Sequence, residues 1–278
     1  MTVTPISREA LLHVVKTLPA APQILAQLGQ LLLDINSDLA DITLLLKRDA
    51  ALTTRIIRIS NSALYNTGLP FASLEEALAR VGYTEVYRLT GFAAVAQLAD
   101  QHLALYCITG VQLRENALLT ALIMEAAAPA ADLDPREAYT AGLLRSTGKV
   151  AIDRLTKGGG IRFESDTNDG LAAWETAYAG MTNVEASAMI LDEWRFPSDT
   201  VEAIRDHYLE EPTAFPLTHL LHLAAGAAER RGLGLPGEGR YWNTSPEKFS
   251  AAGLSPDEFE SALSRAFDQF QAVRSAVA

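Results

Sequence analysis

The sequence predicts an all-α protein organised as a multi-helix bundle. Apolar residues recur at spacings of three and four along almost every periodic segment, and no alternating polar/apolar run is bounded by hairpin turns. Helix-start signals such as SLEE at 73–76 also punctuate the chain. With 278 residues and 49% hydrophobic content, there is ample material for a substantial core in one or two domains.

Taken in order, Pro22 opens a helix through Leu33, Asp38 caps one through Lys47, and Asp49 caps one through about Leu64. Ser73 and Glu76 form a capping box, each satisfying free backbone N–H groups of the other, and Gly82 closes that helix. Further helices are expected over 84–100, 111–128, 135–146, 149–157, 170–179, 183–194, 198–209, 216–231 and 256–275. The last is acidic and amphipathic, capped by Ser255 with Pro256 at its first position and Glu258 at the capping-box site. KGGG at 157–160 and GLGLPGEGR at 232–240 are too glycine-rich for regular helix and mark loops. The second loop is the best boundary, and three blocks follow: 1–105, 106–210 and a helical extension, 211–278.

Charge and cysteine content narrow the function. The net charge of −11 is concentrated after residue 100, where 15 Lys/Arg face 25 Asp/Glu, so this part repels nucleic acid at long range. The lone Cys107 excludes an internal disulfide and a thiolate zinc cluster, and is expected as a small core residue. No apolar run reaches the ~18 residues needed to span a bilayer, and MTVTPISREALLHVV lacks a leader's pattern, so a cytoplasmic location and no membrane partner are expected.

DAALTTRIIRISNSALY at 49–65, followed by SLEEALARVG at 73–82, resembles the HDOD family. LPAAP at 18–22 and EWRFP at 193–197 are similar to two further landmarks of that family. The positions carrying the resemblance include Asp49, Asn61, Ser62, Gly82, Trp194 and Pro197; Ala50 departs from the usual proline. The resemblance implies a wholly helical, non-catalytic relative of the HD phosphohydrolases that serves bacterial signalling, with an HD-domain-like second half and a degenerate metal site.

The carried-over metal positions support that degeneracy. A hydrolytic HD centre needs imidazole and carboxylate ligands to turn a bound water into hydroxide. Where the superfamily has its first histidine stands Glu115, and where it has the His-Asp pair stand Arg145 and Ser146, in the frame GLLRSTGK. Asn183 replaces a third ligand, and only His207 of the final pair, His207-Tyr208, remains. A guanidinium is always charged and has no lone pair to give, so Arg145 repels a cation. Its expected structural role is an ion pair with a nearby acid, Glu115 being the obvious candidate. Accordingly no catalytic residue, metal or cofactor is expected, and Glu115, Arg145, Ser146, Lys149, Asn183 and His207 form a candidate ligand pocket.

Other readings of the same residues carry less. Gly142 to Lys149 fails the Walker A spacing and no strand precedes it, so Gly148 is expected to end one helix and Lys149 to begin the next. Residues 39–61 mimic a helix-turn-helix with Arg55 and Arg58, but Leu52, Ile56, Ile57 and Ile59 leave little polar surface to read DNA. Asn61-Ser62 is read as a structural clasp. His219 and His222, one turn apart, form at most a weak metal site with His207, and KGGG is a connection before it is an anion nest. Trp174, Trp194 and Trp242 fit core or interface equally. The HDOD resemblance implies binding as the expected action: because such domains are used beside receiver, kinase and cyclic-di-nucleotide domains, separate signalling proteins of those kinds are the expected partners, with a small nucleotide as a ligand and no nucleic acid. The alternatives are a metal-dependent phosphohydrolase and a helix-turn-helix-like DNA-binding regulator.

Overall fold

A computed structural model describes residues 5–62, 65–66, 68–100, 102–156, 162–164, 170–211 and 213–277. The N-terminal helices are α1 (Arg8–Val15), α2 (Ala21–Leu31), α3 (Leu39–Leu46), α4 (Ala50–Ser60), α5 (Leu74–Val81) and α6 (Tyr83–Leu98). They are followed by α7 (Gly110–Ala127), α8 (Pro135–Leu144), α9 (Thr147–Leu155), α10 (Gly170–Ala179), α11 (Asn183–Glu193) and α12 (Ser198–Asp206). The C-terminal portion adds α13 (Pro216–Ala228), α14 (Pro246–Ala252) and α15 (Pro256–Val277). No strand occurs among the described residues; one isolated bridge joins Leu103 to Ile108.

The helix starts follow from local chemistry. Asp38 and Asp41 cap each other's backbone at α3, Asp49 accepts from the Leu52 amide at 2.9 Å at α4, and Ser73 accepts from Glu76 at α5. Thr109 with Gln112, Thr182 with Glu185 and Ser255 with Glu258 do the same for α7, α11 and α15. Gly82 sits at φ 81°, a left-handed conformation that glycine takes without Cβ strain, so α5 ends and α6 begins at one residue.

The buried residues form a contiguous apolar cluster from Leu11 to Val273. Its centre is α7, against which α8, α13 and α15 pack. α15 presents Phe259, Ala262, Leu263, Ala266, Phe270 and Val273, a three-four repeat that forms one buried face. Crossings are tight where side chains are smallest: a Cβ on Gly142 would lie 2.7 Å from the Ala121 Cα, so α7 and α8 meet nearly backbone to backbone.

Several local expectations are corrected. The helix from Asp49 ends at Ser60, with Asn61 as its cap, rather than at Leu64, which lies outside the described residues. Gly148 does not terminate a helix. It lies in the first turn of α9, where its amide donates to Ser187 Oγ at 2.8 Å and its bare Cα lets α9 rest on the Asn183 carbonyl of α11. Cys107 is exposed, at φ 56° in the turn closed by the Leu103–Ile108 bridge; the backbone of that tight turn, not apolar burial, sets its place. KGGG at 157–160 lies outside the described residues.

Candidate functional site

Four of the six carried-over positions meet in one buried polar cluster. Arg145 ends α8, Ser146 sits buried at the N-cap position of α9 with its hydroxyl unpartnered among the described residues, Lys149 lies in the first turn of α9, and His207 ends α12. Asn183 opens α11 close by. The short α8–α9 junction brings Arg145 and Lys149 into the same interior.

A residue from outside that set organises the cluster. Glu238 reaches in from the 232–240 loop, its Oε2 accepting from Arg145 Nη2 at 2.8 Å and its Oε1 lying 2.9 Å from Lys149 Nζ. The Tyr208 hydroxyl donates to the same Oε1 at 2.7 Å and accepts from Lys149 at 3.1 Å. Arg145 Nη2 also donates to Asn116 Oδ1 at 2.7 Å, and Asn116 in turn donates to the Leu233 carbonyl. The side chains of Arg145, Lys149 and Glu238 are 1%, 0% and 1% exposed, so all three charges are removed from water and depend on one another.

An outer layer surrounds this core. Glu175 accepts from Tyr106 Oη at 2.8 Å and from the Asn183 amide and side chain at 2.8 and 3.0 Å. Ser187 Oγ donates to the Arg145 carbonyl at 3.1 Å. Trp242 lies over the Arg145 guanidinium at 5.7 Å and stacks on His207, while Tyr208 stacks on Tyr241 with ring centroids 4.3 Å apart.

Electrostatics follow the geometry. Burial alone would raise the Glu238 pKa, but Arg145 and Lys149 outweigh it and hold the carboxyl well below the usual range. Burial, reinforced by Arg145, pushes His207 down to about 3. Burial likewise takes His222 to about 4, even though its ring bonds the His207 carbonyl. Glu175 is raised by its burial, against the pull of Lys149. Burial would lower Arg145, yet Glu238 outweighs it and the guanidinium is held charged.

These residues do not fit a catalytic divalent metal. Both Glu238 oxygens are engaged by cations, and the Arg145 guanidinium, which has no lone pair to give, lies at the centre of the cluster and repels a cation. His207 pairs with the Ile204 carbonyl, His219 with the Thr213 backbone and His222 with Asn243, so the three histidines each serve the backbone. Among the described residues no three His, Cys, Asp or Glu side chains are grouped to hold a metal ion.

The expected Glu115–Arg145 pair is replaced by two others. Glu115 turns outward to Arg274 of α15 at 2.8 Å, and Arg145 takes Glu238. α7 is buried on nearly every side from Asn116 onward, so phase decides which neighbour a residue meets: Asn116 faces Arg145 and the Leu233 carbonyl, and Glu115, about 100° around the helix, faces α15. Tyr208 stands beside His207 in the sequence, whereas Glu238 and Glu175 carry no local signal. The loop that looked like a spacer delivers the central carboxylate.

The landmark residues have structural work. Asn61 bonds both the amide and the carbonyl of Phe71, at 2.7 and 3.1 Å, clasping the 61–72 loop. Ser62 contributes through its backbone carbonyl, which accepts from Tyr65 and Asn66; its hydroxyl has no partner among the described residues. Trp194 is buried at the end of α11, and Pro197 caps α12. Arg55 pairs with Asp100 at 3.7 Å, and Arg58 is exposed. Trp174 stacks on Tyr178 and meets Tyr106 and Phe163 edge-on.

A family model for the HDOD domain matches residues 18–209. The chain belongs to the HDOD family. An HDOD domain protein of unknown function from Geobacter sulfurreducens shares the fold over 98% of each chain, at 20% identity and a TM-score of 0.70. A protein provisionally named a signal transduction protein, from Marinobacter aquaeolei VT8, matches 98% of this chain and 61% of its own length at 16% identity, TM-score 0.66. Another, provisionally named a phosphohydrolase, from Shewanella amazonensis SB2B, matches 96% and 98% at 21% identity, TM-score 0.61. No curated protein matches the chain. Arg145, Lys149 and Tyr208 lie inside the HDOD match, whereas Glu238 lies beyond its end. No described helix is long and apolar enough to cross a membrane.

Proposed function

We propose that this HDOD protein is a non-catalytic regulatory module that acts by binding signalling proteins, and that the former metal position serves as an internal ion cluster. One observation carries the reading: Arg145 stands where the resemblance expects a metal ligand, and it and Lys149, one helical turn on, are both neutralised by Glu238 in a region closed to water. A fixed guanidinium there opposes binding of the metal ion that would be needed to generate hydroxide. Side chains left in water on the N-terminal helices and loops, including Leu33 at 68%, Ile35 at 97% and Leu44 at 72% exposure, favour contacts with other macromolecules. The partners proposed are receiver, kinase or cyclic-di-nucleotide domains of separate proteins, with a small nucleotide as a further ligand.

The test is hydrolysis of bis-p-nitrophenyl phosphate by the full chain with added Mn²⁺, Fe²⁺ or Zn²⁺. The expected result is no turnover above the metal-only control. Turnover that disappears in His207→Ala would overturn the reading.

A further inference from the structure

We propose that Arg145, Lys149 and Tyr208 form a latent oxyanion-binding site whose resident occupant is the chain's own Glu238, carried on a displaceable strap. The inference rests on the non-catalytic reading above, because it assigns the two cations to anion capture rather than to the repulsion of a metal. The site's chemistry is shown by what fills it: a carboxylate takes a guanidinium N–H on one oxygen and an ammonium and a phenol on the other.

Glu238 does not use everything the site offers. It engages only Nη2 of Arg145, and Nε and Nη1 have no partner among the described residues although the side chain is 1% exposed. His207 Nε2 is likewise buried without a partner among them. Glu175, near Lys149, has its oxygens taken by Tyr106 and Asn183, and Glu229 stands near Arg145 and Glu238. A tetrahedral oxyanion presents more acceptor oxygens than the Glu238 carboxylate and would engage guanidinium donors that the carboxylate leaves idle.

The strap is a single layer of chain. Glu238 and Leu235 are buried, yet Gly239 and Arg240, immediately after Glu238, are exposed, so lifting the segment opens the cluster directly to solvent. Its path depends on glycine: Gly237 has φ 81° and packs against the Phe163 ring, where a Cβ would come within 2.6 Å. The strap is held by Glu238, by Asn116 on the Leu233 carbonyl, by the Tyr241 hydroxyl on the Ala172 amide, by Tyr241 and Trp242 stacked on Tyr208 and His207, and by the Asn243 amide on His222. A competing oxyanion removes the first of these and lets Glu238 and its exposed neighbours lift between the anchors at Leu233 and Tyr241.

The experiment uses the full chain carrying Glu238→Ala or Glu238→Gln, titrated with inorganic phosphate or acetate against sodium chloride at matched ionic strength, with Tm as the readout. Both variants are expected to melt below wild type and to recover with phosphate, by roughly 5 °C at a hundredfold excess over Kd, and less with acetate. Adding Lys149→Met should abolish the recovery. AMP compared with inorganic phosphate, with adenosine as the control, separates a nucleotide phosphate from free phosphate as the better fit. Absence of any phosphate-specific recovery in both variants would overturn the proposal. Should neither variant fold, amide exchange in wild type decides: phosphate-dependent exposure of 234–240 supports the strap, and none rejects it. A chain that is inactive with metals yet blind to phosphate rejects this inference alone and leaves the regulatory reading standing.

Discussion

At the scale of single residues, Arg145 determines the character of the site. Its guanidinium is buried and depends on Glu238 and Asn116, so Arg145→Met should cost about 3–5 kcal/mol by leaving Glu238 with one cation fewer in the interior. Urea unfolding checks this, and Arg145→Met combined with Glu238→Leu should cost less than the sum of the two single changes. The histidines give a pH signature. His207, His219 and His222 have folded pKa values below the ordinary 6.5, so the unfolded chain binds protons that the native one refuses. Stability is therefore complete above about pH 6.5 and falls as the pH drops toward 4; His222→Gln should remove about one proton from the slope of stability against pH. The sequence marked Arg145 and Lys149 as neighbours in one local frame, GLLRSTGK, and the structure brings both into the cluster. The sequence could not name Glu238, whose approach depends on a loop fold nearly a hundred residues away in the chain.

At the scale of elements, helix starts were legible from side-chain caps and from prolines, as at α2 and α13. Asp38, Asp49, Ser73 and Ser255 each accept from the backbone amide expected of them, and Ser73→Ala should cost about 1 kcal/mol, measured by chemical denaturation. Close packing was illegible, since a glycine that ends a helix and one that lets two helices touch look alike in sequence. Gly148 is of the second kind. Gly148→Ala would drive a methyl into the Asn183 carbonyl and the Ser187 amide, and should cost about 1–3 kcal/mol with loss of α9–α11 contacts visible in amide exchange. α7 gives the complementary lesson: it is buried on nearly every side, so its sequence does not say which residue meets Arg145, and motif alignment pointed one residue too early, to Glu115.

At the scale of the molecule, the segment after the HDOD match completes the site and the core together. α15 covers α7, and the strap between α13 and α14 supplies Glu238. A chain ending at Ala228 should therefore lose cooperative unfolding in calorimetry, because it strands Arg145 and Lys149 without their carboxylate and uncovers the face of α7 that meets Phe270 and its neighbours. The all-helical class and the family were readable from periodicity and spaced motifs, which are local; the closure of the site was not, because it joins α8, α9 and a distant loop. The account's central claim is that this closed cationic cluster has replaced a metal centre. Elemental analysis of full-length protein expressed with iron, manganese and zinc supplied tests it most directly. The account predicts only substoichiometric metal, unchanged in His207→Ala, whereas stoichiometric metal lost on that substitution would contradict it.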